Sequence, residues 1–330
     1  MPAAHKPGVI PLRPLKLGDI YDAAFRTIRF NPQATVGSAL LVGVVAMGIP
    51  VLLTSILTLA MGWTLDASGA EPTGSEWLGV MGPYGSMFLG TVLMSVGLIL
   101  VTGMIAHVVA AAAVGTRLSL GQAWDATEGK RLRLVGLALL LGGATFAALG
   151  VYALMWVGIV QLTPWQGWVL FGLISVPALI CAMIWFWIRV YYLPVAALML
   201  EPIGVFEAIG RGFALTRAAF WRTFGIALLT FIIAQIASSM ISLPFSMFGM
   251  VGPFLVPEYA ILITVAFSSV GTIAATAFVA PFSTSVAVLQ YLDLRIRKEG
   301  YDVELAGRAG LAATPPTAAP QTSGRSPGWG

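Results

Sequence analysis

The chain has 330 residues, of which 58% are hydrophobic and only 10% charged, with a formal net charge of +4 and a mean hydropathy of +0.89. A soluble chain carries about 25% charged residues, so charges this sparse cannot cover a water-facing surface and the solvent must be lipid. The single cysteine, Cys181, allows no internal disulfide and no cysteine-based zinc site, and two histidines, His5 and His107, cannot build a His-rich metal centre. No cofactor is called for.

The N-terminal segment, residues 1–33, carries Lys6, Arg13, Lys16, Arg26 and Arg29 and has no short apolar core followed by a small-residue cleavage site. No removable signal peptide is expected there. Within it, Leu17, Ile20, Tyr21, Ala24 and Ile28 share one helical face and Asp19, Asp22, Arg26 and Arg29 take the other, the pattern of an amphipathic helix.

A membrane domain follows over residues 34–304. A span needs about 20 mostly apolar residues, and six stretches qualify: Ala34 to Trp63 with a kink at Pro50, Tyr84 to Val114, Leu134 to Val160, Trp168 to Leu200, Phe224 to Met250 and Tyr259 to Leu292. Residues 305–330 are rich in Pro, Ala, Thr, Ser and Gly, cannot bury a core, and are expected to be a disordered tail. The fold class is therefore all-α, a polytopic transmembrane helix bundle.

Basic residues set the orientation. Arg117, Lys130, Arg131 and Arg133 lie between spans two and three, Arg211, Arg217 and Arg222 between spans four and five, and Arg295, Arg297, Lys298, Arg308 and Arg325 after span six. The other three loops hold Asp66, Glu71, Glu76 and Glu258 but no Lys or Arg. By the positive-inside rule both termini and both basic loops are expected to be cytoplasmic, in the plasma membrane. Trp63, Trp77, Trp165 and Trp168 near the outer ends and Trp124 and Trp221 near the inner ends fit either an aromatic belt or core packing.

The segment Leu17-Gly18-Asp19-Ile20-Tyr21-Asp22-Ala23 resembles Leu120-Gly121-Gln122-Ala123-Trp124-Asp125-Ala126, and Ser119 with Gln122 is a capping-box pattern. A third segment sets Val205, Phe206, Ile209 and Phe213 opposite Glu207 and Arg211. The spans that follow start alike, at Gly37, Gly136 and Gly225, the last two preceded at one offset by Arg133 and Arg222. Three repeated units are read, each a cytoplasmic amphipathic helix plus two spans. Chance similarity among Gly, Ala and Leu is the alternative.

Arg189 is the one basic residue inside a span. Two readings are open: its guanidinium snorkels to lipid phosphates, or it is buried in a structural pair with Glu201, Glu207 or an acidic residue of another interfacial helix. Candidate lipid or anion contacts are Arg189, Arg211, Arg217, Arg222 and Arg133. Tyr191, Tyr192 and Pro194 predict a bend just beyond Arg189. His107 reads as a packed neutral side chain, and Gly97 and Gly103 as sites of close helix packing. No phosphate loop, zinc-protease or nucleophile-elbow motif occurs. The basic loops are short and juxtamembrane, which argues against nucleic acid and for anionic lipid headgroups as the counter-charge.

The run Leu198 to Ile209, then Gly212 to Arg217 and Phe220 to Gly225, together with Pro11 to Asp22 and Leu289 to Gly300, resembles the glycerophosphoryl diester phosphodiesterase membrane domain. Gly210 stands where that pattern carries a charged residue. The resemblance implies a stand-alone membrane domain. In fused members of that family the hydrolase is a separate barrel, so diesterase activity is not carried over. The expected function is a non-enzymatic scaffold or accessory protein interacting with lipid or a membrane partner. Alternatives are a transporter or flippase-like protein for an anionic or lipid substrate, and a lipid enzyme drawing on Asp22, Asp125, Glu201 and Glu207.

Overall fold

The computed structural model describes residues 8–11, 13–61 and 76–308. The acidic loop around Asp66 and Glu71, Trp63, and the tail beyond Arg308 lie outside the described residues. All regular structure among the described residues is helical, and six helices are long and apolar enough to cross a membrane.

Helix α1, Leu17–Phe30, runs through a π-helical turn at Gln33–Gly37 into α2, Ser38–Met61, and α3 is Glu76–Ala113. The short α4, Leu120–Asp125, precedes α5, Arg131–Leu162, and α6, Trp165–Phe186. A second π-helical turn, Trp187–Tyr191, and the short α7, Pro194–Leu200, lead to α8, Val205–Thr216. The last pair is α9, Phe220–Leu255, and α10, Ala260–Glu299, closed by α11, Tyr301–Arg308. A short helix followed by two spans thus occurs three times. Helix α10 extends seven residues past the expected end at Leu292, and α11 carries helix four residues past the boundary at 304.

The three short helices share one N-terminal device. Asp19 Oδ2 accepts from Lys16 N at 3.0 Å, Gln122 Oε1 from Ser119 N at 2.9 Å, and Glu207 Oε2 from Gly204 N at 2.8 Å. In each, the residue three positions into the helix reaches back to an N–H that has no intrahelical partner. Only in α4 does the N-cap residue reciprocate, Ser119 Oγ accepting from Gln122 N at 3.2 Å.

Helix α10 is the centre of the bundle and packs against α9, α2 and α3. Close approach is secured by glycine. A Cβ on Gly90 would meet Pro50 Cγ at 2.2 Å, and one on Gly97 would meet Val42 Cγ1 at 2.2 Å, so α3 lies directly on α2 along this stripe. At Gly103 the space is taken by Leu134 and Met199. With lipid on the outside there is little hydrophobic drive between spans, and contact at this range lets dispersion hold them together.

Buried residues gather at the end of the bundle that carries the basic residues, where Ile10, Leu15, Ile20, Leu134, Leu198 and Leu289 are fully enclosed. Helix α1 does not lie free at an interface: Ile20, Ala23, Ala24 and Thr27 are buried, and Tyr21 Oη bonds Thr230 Oγ1 at 3.1 Å on α9. Leu17, on the apolar face, is exposed, while the Phe25 ring meets that of Phe282 in a tilted contact with centroids 4.9 Å apart. Residues 8–10 dock on the end of α3, Val9 N donating to Ala112 O at 3.0 Å. Gly8 is required there because a Cβ would stand 2.3 Å from that same carbonyl. The start of α5 is held in this core by Leu134, Leu137 and Leu141, but beyond it the α5–α6 hairpin is open: no residue of α6 is buried, and Phe146, Leu154 and Leu173 face outward.

Candidate functional site: a charged collar at the basic end

Two carboxylates organise this end. Asp293, near the end of α10, is completely buried. Its oxygens accept from Leu15 N at 2.7 Å, from Arg297 Nε at 3.0 and 3.1 Å, and from Arg222 Nη1 in a close ion pair. The same two guanidiniums also grip the Leu15 carbonyl, Arg222 Nη2 at 2.7 Å and Arg297 Nη2 at 3.0 Å. A buried carboxylate is tolerable only when its lone pairs are satisfied by charge-assisted bonds. The result locks the segment ahead of α1 to the start of α9 and the end of α10.

Glu201, just after α7, forms the second centre. It accepts from Arg211 Nε at 3.1 Å and from the Tyr291 hydroxyl, and lies 3.5 Å from Arg295 Nε. Arg211 continues to the Glu299 carboxylate at 2.8 Å, and Arg295 to Glu299 at 3.1 Å, with Arg295 also stacked on the Tyr301 ring at 3.8 Å. Lys130 donates to Met199 O at 2.7 Å and Glu201 O at 2.9 Å, at the C-terminus of α7, where a cation also suits the helix dipole. Burial lowers the Lys130 ammonium below lysine's ordinary value, with Arg133 pushing the same way and Glu201 opposing.

In the second reading of Arg189, the pair with Glu201 or Glu207 does not form. Glu201 is held by Arg211, and Glu207 is turned back onto the N-terminus of its own helix. Arg189 sits on the π-helical turn, its guanidinium 4.8 Å from the Phe213 ring centroid and 5.5 Å from that of Phe220, a cation–π arrangement. Its Nε is buried with no hydrogen-bond partner. Where a bend was expected the α-helix is interrupted: the π-helical turn ends at Tyr191, and Pro194, lacking an N–H, takes the first position of α7.

Of the other arginines expected to meet anions, Arg211 and Arg222 are engaged by carboxylates, whereas Arg133 and Arg217 are exposed. The collar depends on residues that the sequence reading passed over as site residues: Asp293, Arg295, Arg297, Tyr291 and the Leu15 peptide. One signal was available, since Asp293 and Arg297 stand four apart at the end of an apolar run, and an acid so placed demands a partner. His107 is a different kind of site, its Nε2 buried without a partner.

Beside the Asp293 clamp lies an open groove of about 330 Å³ between the start of α1 and the start of α9. Leu15, Lys16, Leu17, Trp221, Arg222, Gly225, Ile226, Leu229 and Arg297 line it. It therefore sets three cationic side chains beside an apolar wall formed by α9 with Leu15 and Leu17.

Comparison with known proteins returned no match among family models, curated proteins or solved structures.

Proposed function

We propose that this chain is a non-enzymatic scaffold or accessory protein of the plasma membrane, with both termini and the charged collar on the cytoplasmic side. It works by engaging anionic headgroups and a membrane protein partner. The observation that carries this reading is the α5–α6 hairpin. Its α5 leans on α3 by its first turns, whereas α6 packs on α5 and the second π-helical turn and has no buried residue. A hairpin so placed can meet a partner's spans without disturbing the core. The open glycines of α5, Gly143 and Gly150 among them, permit close helix approach. Two further features support the reading: the basic loops all fall on one side, and Glu201, Glu207 and Asp293 are bonded in structural roles. The motif resemblance to the glycerophosphoryl diester phosphodiesterase membrane domain agrees with it, without bringing the diesterase activity.

The test is photo-cross-linking in native membranes from a benzophenone amino acid at Leu154 or Leu173, with Phe231 on α9, also exposed, as control. The expected result is one discrete protein adduct from the hairpin positions and none from Phe231. Lipid adducts alone at every position overturn the partner reading.

A transporter or flippase-like reading is favoured by one other observation. Arg189 Nε, Tyr192 Oη, His107 Nε2, Ser285 Oγ and both amide atoms of Gln290 are buried in spans without protein hydrogen-bond partners. Polar groups of that kind in a membrane interior often mark a substrate path. On this reading, proteoliposomes bearing fluorescent anionic lipid show translocation by dithionite quenching, and Arg189→Gln abolishes it with the fold intact. Equal quenching with and without the protein rules the reading out.

A further inference from the structure

We propose that the groove between α1 and α9 holds one anionic phospholipid, its phosphate among Lys16, Arg222 and Arg297 and its acyl chain along the apolar wall. The inference rests on the membrane reading above and is independent of any protein partner.

Charge comes first. Three cationic side chains line the groove, and the carboxylate nearest them, Asp293, is sealed beneath Arg222 and Arg297. Asp19 is occupied with Lys16 N and Arg13, while the Lys16 side chain is exposed. The surface offered to a ligand is positive, and a phosphate is the complementary group.

Geometry comes second. Arg222 donates to protein from Nη1 and Nη2, and Arg297 from Nε and Nη2. A guanidinium has five N–H donors, so each arginine retains some for a ligand. The side chains are 33% and 38% exposed. Because Asp293 and the Leu15 carbonyl already fix their orientation, binding costs little further side-chain entropy.

The apolar wall decides the source of the phosphate. Leu17, Trp221 and Leu229 are 42%, 78% and 37% exposed, and α9 carries this wall from the collar into the span. A free phosphate would leave that surface bare to water, whereas a phospholipid covers it with its glycerol and acyl chain. Gly225 opens the wall, for nothing lies within 4 Å of where its Cβ would stand. A larger side chain there has an unobstructed Cβ and extends into the groove.

Native mass spectrometry of the full chain released from nanodiscs of equal phosphatidylglycerol and phosphatidylcholine tests the site. One phosphatidylglycerol retained per chain, in preference to phosphatidylcholine, is expected. Lys16→Gln should lower that retention about fivefold, the loss of roughly one charge at a lipid surface. Gly225→Leu should lower it comparably by filling space. Arg29→Gln, exposed on α1 but outside the groove, should leave it unchanged. Equal retention of the two lipids overturns the proposal. So does an equal loss in Arg29→Gln, undiminished retention in Lys16→Gln, or displacement of the lipid by millimolar inorganic phosphate. Thermal unfolding of each variant checks the fold, and if Gly225→Leu alone unfolds, Lys16→Gln decides. A null result in the α5–α6 cross-linking experiment does not bear on any of these outcomes.

Discussion

Asp293 is the residue on which the basic end depends. Its carboxylate is fully buried and meets two guanidiniums and a backbone N–H. Asp293→Asn keeps the shape and removes the charge, leaving Arg222 and Arg297 facing each other across a neutral amide. Breaking a buried pair on one side costs about 3–5 kcal/mol, and thermal unfolding in a fixed detergent should show a loss of that order. Glu201 is less enclosed, its side chain 13% exposed, so Glu201→Gln is expected to cost less. Lys130 makes a prediction with a sign. Its folded value is lowered by burial, so below lysine's ordinary value of about 10.4 the unfolded chain binds more protons. Stability carried by this residue therefore rises with pH through the window between the lowered value and about 10.4. Lys130→Gln should flatten that rise in an unfolding series over alkaline pH. Arg189 teaches the opposite lesson from Asp293. Its neighbours in sequence include Glu201 and Glu207, yet the aromatic faces of Phe213 and Phe220 receive it.

Among elements, the α2–α3 contact and the three short helices are the most readily tested. Gly90→Ala places a Cβ 2.2 Å from the Pro50 ring, a rigid neighbour that cannot rotate away. Overpacking of this kind typically costs about 1–3 kcal/mol. Gly136→Ala on α5, with nothing within 4 Å, is the matched control and should be neutral or slightly stabilising in the same melt. Glu207→Ala removes the bond to Gly204 N. The cost for a helix-terminal cap is about 0.5–2 kcal/mol, and it should appear as faster hydrogen exchange confined to the first turn of α8. The glycine stripe on α3 was legible as small residues in an apolar run, because only small residues let helices close in lipid. The capping bond in α4 was legible from Ser119 and Gln122. Those in α1 and α8 were not, since Lys16 and Gly204 carry no side-chain acceptor for the reciprocal bond and only Asp19 and Glu207, seen in place, disclose the shared device.

At the scale of the whole molecule, the basic loops predict the topology. Six apolar helices in one chain leave its two ends on one side when each crosses once. The variants Lys16→Cys, Arg133→Cys and Arg217→Cys, all at exposed positions, should react with an impermeant maleimide from the same face of sealed vesicles. That face is expected to be the cytoplasmic one. Labelling of Arg133→Cys and Arg217→Cys from opposite faces would remove a span from the bundle. Native Cys181, exposed on α6, is changed to Ser beforehand.

The amino-acid sequence by itself determined the all-α class, the number of spans, the basic loops and the recurring order of short helix and span pair. Each of these follows from hydropathy, residue size or charge counted along the chain, and lipid imposes the same rules on every segment that crosses it. Tertiary structure alone decided which charges meet. The Leu15 peptide and Asp293 are 278 positions apart, Tyr291 and Glu201 are 90 apart, and Arg211 and Glu299 are 88 apart. Several carboxylates and a larger number of cations share the basic end, and every pairing among them is electrostatically admissible until helix packing fixes the distances. The groove that follows from that packing, with Lys16, Arg222 and Arg297 beside the apolar residues at the start of α9, was likewise invisible in one dimension. It exists only because Asp293 draws the two arginines and the segment ahead of α1 to a single point.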